Sequence, residues 1–165
     1  MKKEMMTLVL TLVALAAGGG SLAAVGNAAE SYDLTNCFSS TVTTISASPE
    51  LTVLSVDNKG IARSNSEKGA FDNATYQCVS VLSIASGQRE GTGYCKYMDP
   101  DGDFFVGQMT HDLTGGGTWK FLQGTGKWKG ITGGGKFVPL TSGKPIVAGT
   151  AQGCARATGT YELPK

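Results

Sequence analysis

The stretch Cys78-Val-Ser-Val-Leu-Ser-Ile-Ala-Ser-Gly-Gln-Arg-Glu-Gly-Thr-Gly-Tyr-Cys95 decides the fold class. Two extended runs flank Ser86-Gly87, a pair suited to a tight turn. With a two-residue turn there, Ala85 faces Gln88, and stepping outward Cys78 lands directly opposite Cys95. That rung is a non-hydrogen-bonded one, where Cα atoms lie ~4.5 Å apart. A disulfide accepts ~4.4–6.8 Å, so the pair can bond. A turn at Gly87-Gln88 would break the match and stands as the alternative.

Outward from this hairpin the same grammar repeats. Short runs rich in Val, Thr, Tyr, Phe and Ile alternate with Gly, Asn, Asp and Ser clusters, and no stretch beyond the N-terminal segment keeps a helical period for three turns. Strands are expected near 40–47, 51–56, 60–64, 74–85, 88–98, 103–111, 117–124, 127–138 and 150–162, with a hairpin around Asn58-Lys59-Gly60 joining two of them. The polar segment Ser64–Asn73 reads as a loop. About eight strands in one antiparallel domain predict an all-β, up-and-down barrel, which leaves no exposed sheet edge. A two-sheet sandwich is the alternative.

Composition narrows the class further. The 165 residues carry 14 Lys and Arg against 13 Asp and Glu, which gives no basic surface for nucleic acid. A charged fraction of 16% against 41% apolar residues does not match a disordered chain. The 24 glycines follow no three-residue period, which excludes collagen.

Residues 1–28 read as a secretory signal peptide, leaving residues 29–165 as a single barrel domain. Lys2 and Lys3 precede the apolar run Thr7–Ala17, which is too short to span a bilayer, and Gly26-Asn27-Ala28 offers a cleavage site. The expected location is secreted or periplasmic, without membrane insertion after cleavage. Four cysteines in an oxidising compartment then suggest two disulfides. With Cys78 joined to Cys95, Cys37–Cys154 follows by elimination and ties the first strand to the last.

The Gln123–Lys127 hairpin selects the inner face. A two-residue Thr125-Gly126 turn places Trp119, Phe121, Trp128, Gly130 and Thr132 on one face, and Lys120, Lys127, Lys129 and Ile131 on the other. A three-residue turn would mix Phe121 with Lys129, and a one-residue slip exchanges faces wholesale, so the cleaner partition is preferred. Trp119, Phe121 and Trp128 are the candidate ligand-binding residues, unless they pack the lumen solid.

Familiar site motifs fail by spacing. Gly126-Lys127 and Gly135-Lys136 lack the Ser or Thr and the upstream Gly of a phosphate loop. In Asp99-Pro-Asp-Gly-Asp103, a three-residue turn brings Asp99 opposite Asp103 with Asp101 at the tip. A cation would relieve these charges, yet Phe104 and Thr110 occupy the Gly and Glu positions of a calcium loop; a solvated turn is expected. His111 is the single histidine, expected at a surface or strand end, and no zinc site or Ser-His-Asp set can be argued from it. Asn73-Ala-Thr75 fits a glycosylation acceptor. No cofactor or metal is called for.

The segment Gly124-Thr-Gly-Lys-Trp-Lys-Gly-Ile-Thr-Gly133, continued by Gly134-Gly-Lys-Phe137 and Ala157-Thr-Gly-Thr-Tyr161, resembles the glycine-rich signature of allene oxide cyclase and dirigent-like barrels. From about Tyr76 to Leu163 the chain is similar to small exported bacterial members of that group. The resemblance implies an eight-stranded, calycin-like barrel with a hydrophobic lumen, often a homo-oligomer. The plant cyclases' catalytic residues lie outside the matched signature. The favoured reading is an exported barrel, a binding protein more than an enzyme, that takes a small apolar molecule in its lumen. The alternatives are a cyclase- or isomerase-like enzyme acting by confinement and a protein-facing envelope or inhibitor barrel acting through loops 64–73 and 139–149.

Overall fold

A computed structural model describes residues 28–67 and 69–165. The expected signal segment therefore lies, but for Ala28, outside the described residues. Eight strands follow in order: β1 (Glu30–Ala47), β2 (Leu51–Ser64), β3 (Thr75–Ala85), β4 (Gln88–Met98), β5 (Phe104–His111), β6 (Gly117–Gly124), β7 (Thr132–Ser142) and β8 (Thr150–Glu162). Each pairs antiparallel with the next, and β1 pairs with β8, so the sheet closes into an up-and-down barrel. Among the described residues no helix is long and apolar enough to cross a membrane.

The opening hairpin takes the expected register. Ser86 (φ 50°) and Gly87 (φ 75°) form the turn, Ala85 pairs with Gln88, and Cys78 pairs with Cys95. Both φ values are positive, the backbone twist that matches paired strands. Cys37 and Cys154 are likewise paired across β1 and β8. Disulfides Cys78–Cys95 and Cys37–Cys154 each close over a Cα separation of 4.0 Å.

Two expectations are corrected. The chain does not turn at Asn58-Lys59-Gly60; β2 runs straight through, with Phe38 opposite Gly60 and Ser40 opposite Asn58. β1 correspondingly begins at Glu30, ten residues before the expected start. Gly60 serves a close approach instead of a turn, because a Cβ there would collide with the Cys37 carbonyl and lie 2.8 Å from the Tyr76 ring. A glycine signals either use, and the sequence alone does not say which.

The second correction concerns β6 and β7. Instead of a two-residue turn, a longer connection containing a 3-10 turn at Gly126–Trp128 joins them, and Trp119 pairs with Gly135. Ile131, expected outside, is buried, while Gly130 and Thr132, expected inside, are exposed. The turn rolls Trp128 into the barrel end, a placement that no extended register could produce. Lys120, Lys127 and Lys129 are exposed.

Aromatic packing closes one end. Phe71, from the β2–β3 loop, sits at its centre with ring centroids 4.8 Å from both Phe105 and Trp128, and 5.2 Å from Tyr161. Burying rings of this size dominates the local energetics, and edge-to-face pairs add ~0.5–1.5 kcal/mol each.

Candidate functional site

Above this floor the lumen is hollow. A cavity of about 480 Å³ reaches the opposite end of the barrel, within the ~300–1,000 Å³ range of small-molecule pockets. The strand period places its walls: inward Tyr97 stacks on Tyr76 and Phe105 at 4.8 and 5.1 Å, and Trp119 meets Tyr97 edge-on at 5.6 Å. Trp119 also needs Gly107 across from it, since a Cβ there would collide with the indole ring. Burial raises the phenols of Tyr32, Tyr76 and Tyr97 far above the ordinary tyrosine value, so all three stay neutral hydrogen-bonding groups.

Trp119 and Phe121 line this cavity; Trp128 does not. Its indole lies beneath the floor and donates from Nε1 to Asp99 Oδ2 at 2.8 Å. The acidic turn is consequently a structural knot and not a solvated loop. Asp99 is buried, its Oδ1 accepts from the backbone N–H groups of Asp101 and Asp103, and Lys127 Nζ reaches Asp99 at 2.9 Å and Asp101 at 2.6 Å. The cation that three facing carboxylates require is thus supplied by Lys127, whose backbone N–H also donates to Asp103. Burial alone would raise the Asp99 carboxyl, but the Lys127 and Trp128 hydrogen bonds outweigh it and hold it below the usual range. Among the described residues no group of three or more His, Cys, Asp or Glu is arranged to hold a metal ion.

Polar groups also reach into the lumen. Ser40 Oγ donates to Asn58 Oδ1, and Ser80 Oγ lies 3.4 Å from Met109 Sδ and from His111 Nε2. His111 ends β5 as expected, but its ring turns inward against Phe137 at 5.4 Å. Burial, and then the positive charge of Arg89, hold its pKa below the ordinary value, so the ring is neutral near pH 7. No carboxylate orients His111 Nδ1, which is buried without a partner, so the Ser80–His111 contact is not a nucleophilic triad. Arg89 Nε, Asn36 Oδ1 and Tyr32 Oη are buried without partners as well. All four residues line the cavity. Buried polar groups are normally satisfied, so these atoms, spread from Tyr32 near the floor to Arg89 and His111 at the mouth, are positions where a guest molecule can bond.

Sequence reading missed Phe71, Arg89 and Asn36. Phe71 lies in a loop identified only as polar, and the other two become legible only once the registers of β1 and β4 assign them inward positions.

No family model matches the chain, and no curated protein matches its sequence. Among solved structures it resembles a pterocarpan synthase dirigent protein. The TM-score is 0.52 at 10% identity, covering 82% of this chain and 92% of that one. The two share a dirigent-like barrel fold.

Proposed function

We propose that this protein is an exported barrel that binds a small, largely apolar molecule in its lumen. The observation carrying this reading is the 480 Å³ cavity, lined by rings of Tyr97, Phe105, Trp119 and Phe121 where a packed barrel would hold side chains. Export is supported by the charged, then apolar, then small-residue pattern of residues 1–28 and by two disulfides, which persist in oxidising compartments.

Titration with the neutral probe N-phenyl-1-naphthylamine tests the reading. Saturable one-to-one binding is expected, with quenching of Trp119 emission and a raised melting temperature. Val56→Trp, which places a large ring in the cavity, should abolish binding; Ala155→Phe serves should that variant fold poorly. Absence of saturable binding, or binding undiminished in folded lumen-filled variants, refutes the proposal.

A second reading, an enzyme guiding a reactive substrate by confinement, is favoured by the neutral His111 ring beside Ser80 within the same lumen. The dirigent protein of similar fold is itself described as a synthase.

A further inference from the structure

The large apolar side chains most open to water are gathered at one end of the barrel. Ile146 is 90% exposed, Ile45 and Val147 61% and Leu113 58%, more than any other large apolar side chain among the described residues. All four flank the mouth. Ile45 lies near the end of β1, Leu113 in the β5–β6 connection, and Ile146 and Val147 in the β7–β8 connection. The cavity opens among the same connections, with Thr114, Gly115 and Ser142 on its lining. The β7–β8 segment is held in place by its backbone. The Gly143 N–H donates to the Gln152 carbonyl at 2.9 Å, the Thr150 N–H to the Val147 carbonyl at 3.1 Å, and the Val42 N–H on β1 to the Gly149 carbonyl at 2.7 Å. Bonds on both sides thus keep Ile146 and Val147 projecting into water.

Charge is divided along the same axis. The mouth connections, residues 48–50, 86–87, 112–116 and 143–149, carry Glu50, Asp112 and Lys144. The Asp112 carboxylate is taken up by the Thr114 N–H at 2.8 Å and hydroxyl at 2.6 Å. Glu50 and Lys144 are of opposite sign, as are Arg89 and Glu90 on the adjoining end of β4. The floor connections, in contrast, hold Asp72, Asp99, Asp101, Asp103, Lys127 and Lys129 among their charges. One end is densely charged; the other is aliphatic, with no excess of positive charge.

We propose that the mouth of the barrel docks onto the surface of a phospholipid bilayer, with Ile45, Leu113, Ile146 and Val147 entering the headgroup layer. Aliphatic tips set around an opening match a planar partner with an apolar interior, and the ~5–10 Å that an interfacial element penetrates is within reach of such projecting side chains. Lys144, two residues before Ile146, keeps its ammonium among the phosphates while its stem lies along the apolar layer. A protein partner is less well matched, because Trp, Tyr and Arg anchor protein interfaces and Leu and Val are under-represented there. With no positive excess at the mouth, attachment is driven by apolar burial and requires no anionic lipid. In this pose the lumen faces the bilayer, so an apolar guest passes between the two without crossing water.

Sedimentation with phosphatidylcholine vesicles, with no lumen ligand present, tests the docking. The full chain and a chain starting at Ala29, which keeps all eight strands and both disulfides, are assayed side by side, so that lipid binding by the apolar run Thr7–Ala17 is read separately. Both should partition onto the vesicles. The partition should stay within threefold when about a third of the lipid is anionic phosphatidylglycerol, and when salt is raised to about 0.5 M, where charges are screened within a few ångströms. In the chain from Ala29, Ile146→Asp/Val147→Asp should weaken partition at least tenfold and Leu113→Asp at least threefold. Val81→Asp, on the exposed outer wall of β3, should leave it within twofold. Melting curves establish that each variant is folded, and Ile146→Ser/Val147→Ser carries the test if the aspartate pair unfolds. Partition confined to the full chain, dependence on anionic lipid, or insensitivity to the mouth variants overturns the inference. So does a lipid-free dimer that Ile146→Asp/Val147→Asp dissolves, which reassigns the face to a second copy. Failure here leaves the lumen reading standing, and failure of N-phenyl-1-naphthylamine to bind leaves the docking standing, because the vesicle assay contains no probe of the lumen.

Discussion

Replacing Trp128 by Phe separates two contributions of one side chain. The indole is buried beneath the lumen, 4.8 Å from Phe71 and 5.8 Å from Phe105, and it donates to a carboxylate whose side chain is 3% exposed. A phenyl ring keeps most of the packing but leaves a small void. Complete truncation of Phe or Trp costs ~3–5 kcal/mol, so losing part of the ring should cost ~1–1.5. The lost hydrogen bond to a charged acceptor adds ~1.5–3, for a total of ~2.5–4.5 kcal/mol. Asp99→Asn supplies the second arm of a cycle. Asp99 Oδ1 accepts two backbone N–H groups, so an asparagine keeps its oxygen there and turns its NH₂ toward Trp128 Nε1 and Lys127 Nζ, donors facing donors. On that background the indole has no acceptor, and Trp128→Phe should cost only the ring's share. The expected coupling is therefore at least ~1.5 kcal/mol, measured by urea unfolding of the four proteins with disulfides intact and equal m-values. Additivity within ~0.5 kcal/mol would refute the reasoning, leaving Trp128 as packing alone.

The disulfides should contribute unequally. Cys37–Cys154 spans a sequence separation of 117 and Cys78–Cys95 one of 17. The chain-entropy model gives about 4.9 and about 3.2 kcal/mol, so Cys37→Ser/Cys154→Ser should melt below Cys78→Ser/Cys95→Ser. The pH dependence should show two stages. The folded His111 pKa lies below its ordinary value, so its contribution is complete above about pH 6.5 and is lost as pH falls from there, with a slope no steeper than ~1.4 kcal/mol per pH unit. His111→Gln should flatten that stage in pH-dependent melting. The depressed carboxyls, Asp33 at about 2 through its hydrogen bonds to Arg156 and Asn65, and Asp99 through Lys127, stabilise the fold above the ordinary carboxylate range; this is lost as pH drops below about 4.

The sequence was legible wherever a local rule had no competitor. The Ser86-Gly87 turn fixed a register, and the register fixed a disulfide, because a two-residue hairpin leaves no freedom in counting. Cys37–Cys154 followed by arithmetic alone. The β6–β7 register failed because Gly124-Thr-Gly satisfies a tight turn locally, while the gain from rolling Trp128 onto Phe71 and Asp99 is tertiary and invisible in a strand pattern. Asn58-Lys59-Gly60 failed for a related reason. Its turn propensity was outweighed by the pairing of the whole of β2 with β1 and β3, and Gly60 leaves the space that Tyr76 occupies. The acidic turn was recognised as a turn, but its cation lay 26 positions along the chain, in Lys127.

The site follows a gradient that single motifs cannot express. Near the closed end, inward positions are Tyr32, Tyr97, Phe105 and Phe121, joined by Phe71 and Trp128 from loops. Toward the mouth they become Ser40, Ser80, Ala151 and Ala155, all lining the cavity. A barrel of fixed strand number has a nearly fixed bore, so large side chains fill one end and small ones leave the other hollow. Packed core and open cavity thereby lie at opposite ends of the same strands. The closed end concentrates ring packing and the Asp99–Lys127–Trp128 knot, whereas the mouth holds the unpartnered Arg89 and His111 atoms, groups whose desolvation is not offset by any partner within the described chain. A fold selected only for stability would fill those positions with apolar side chains. Those unsatisfied atoms, set above a fully packed floor, are the physical support for the proposal that the mouth serves recognition while the floor serves folding.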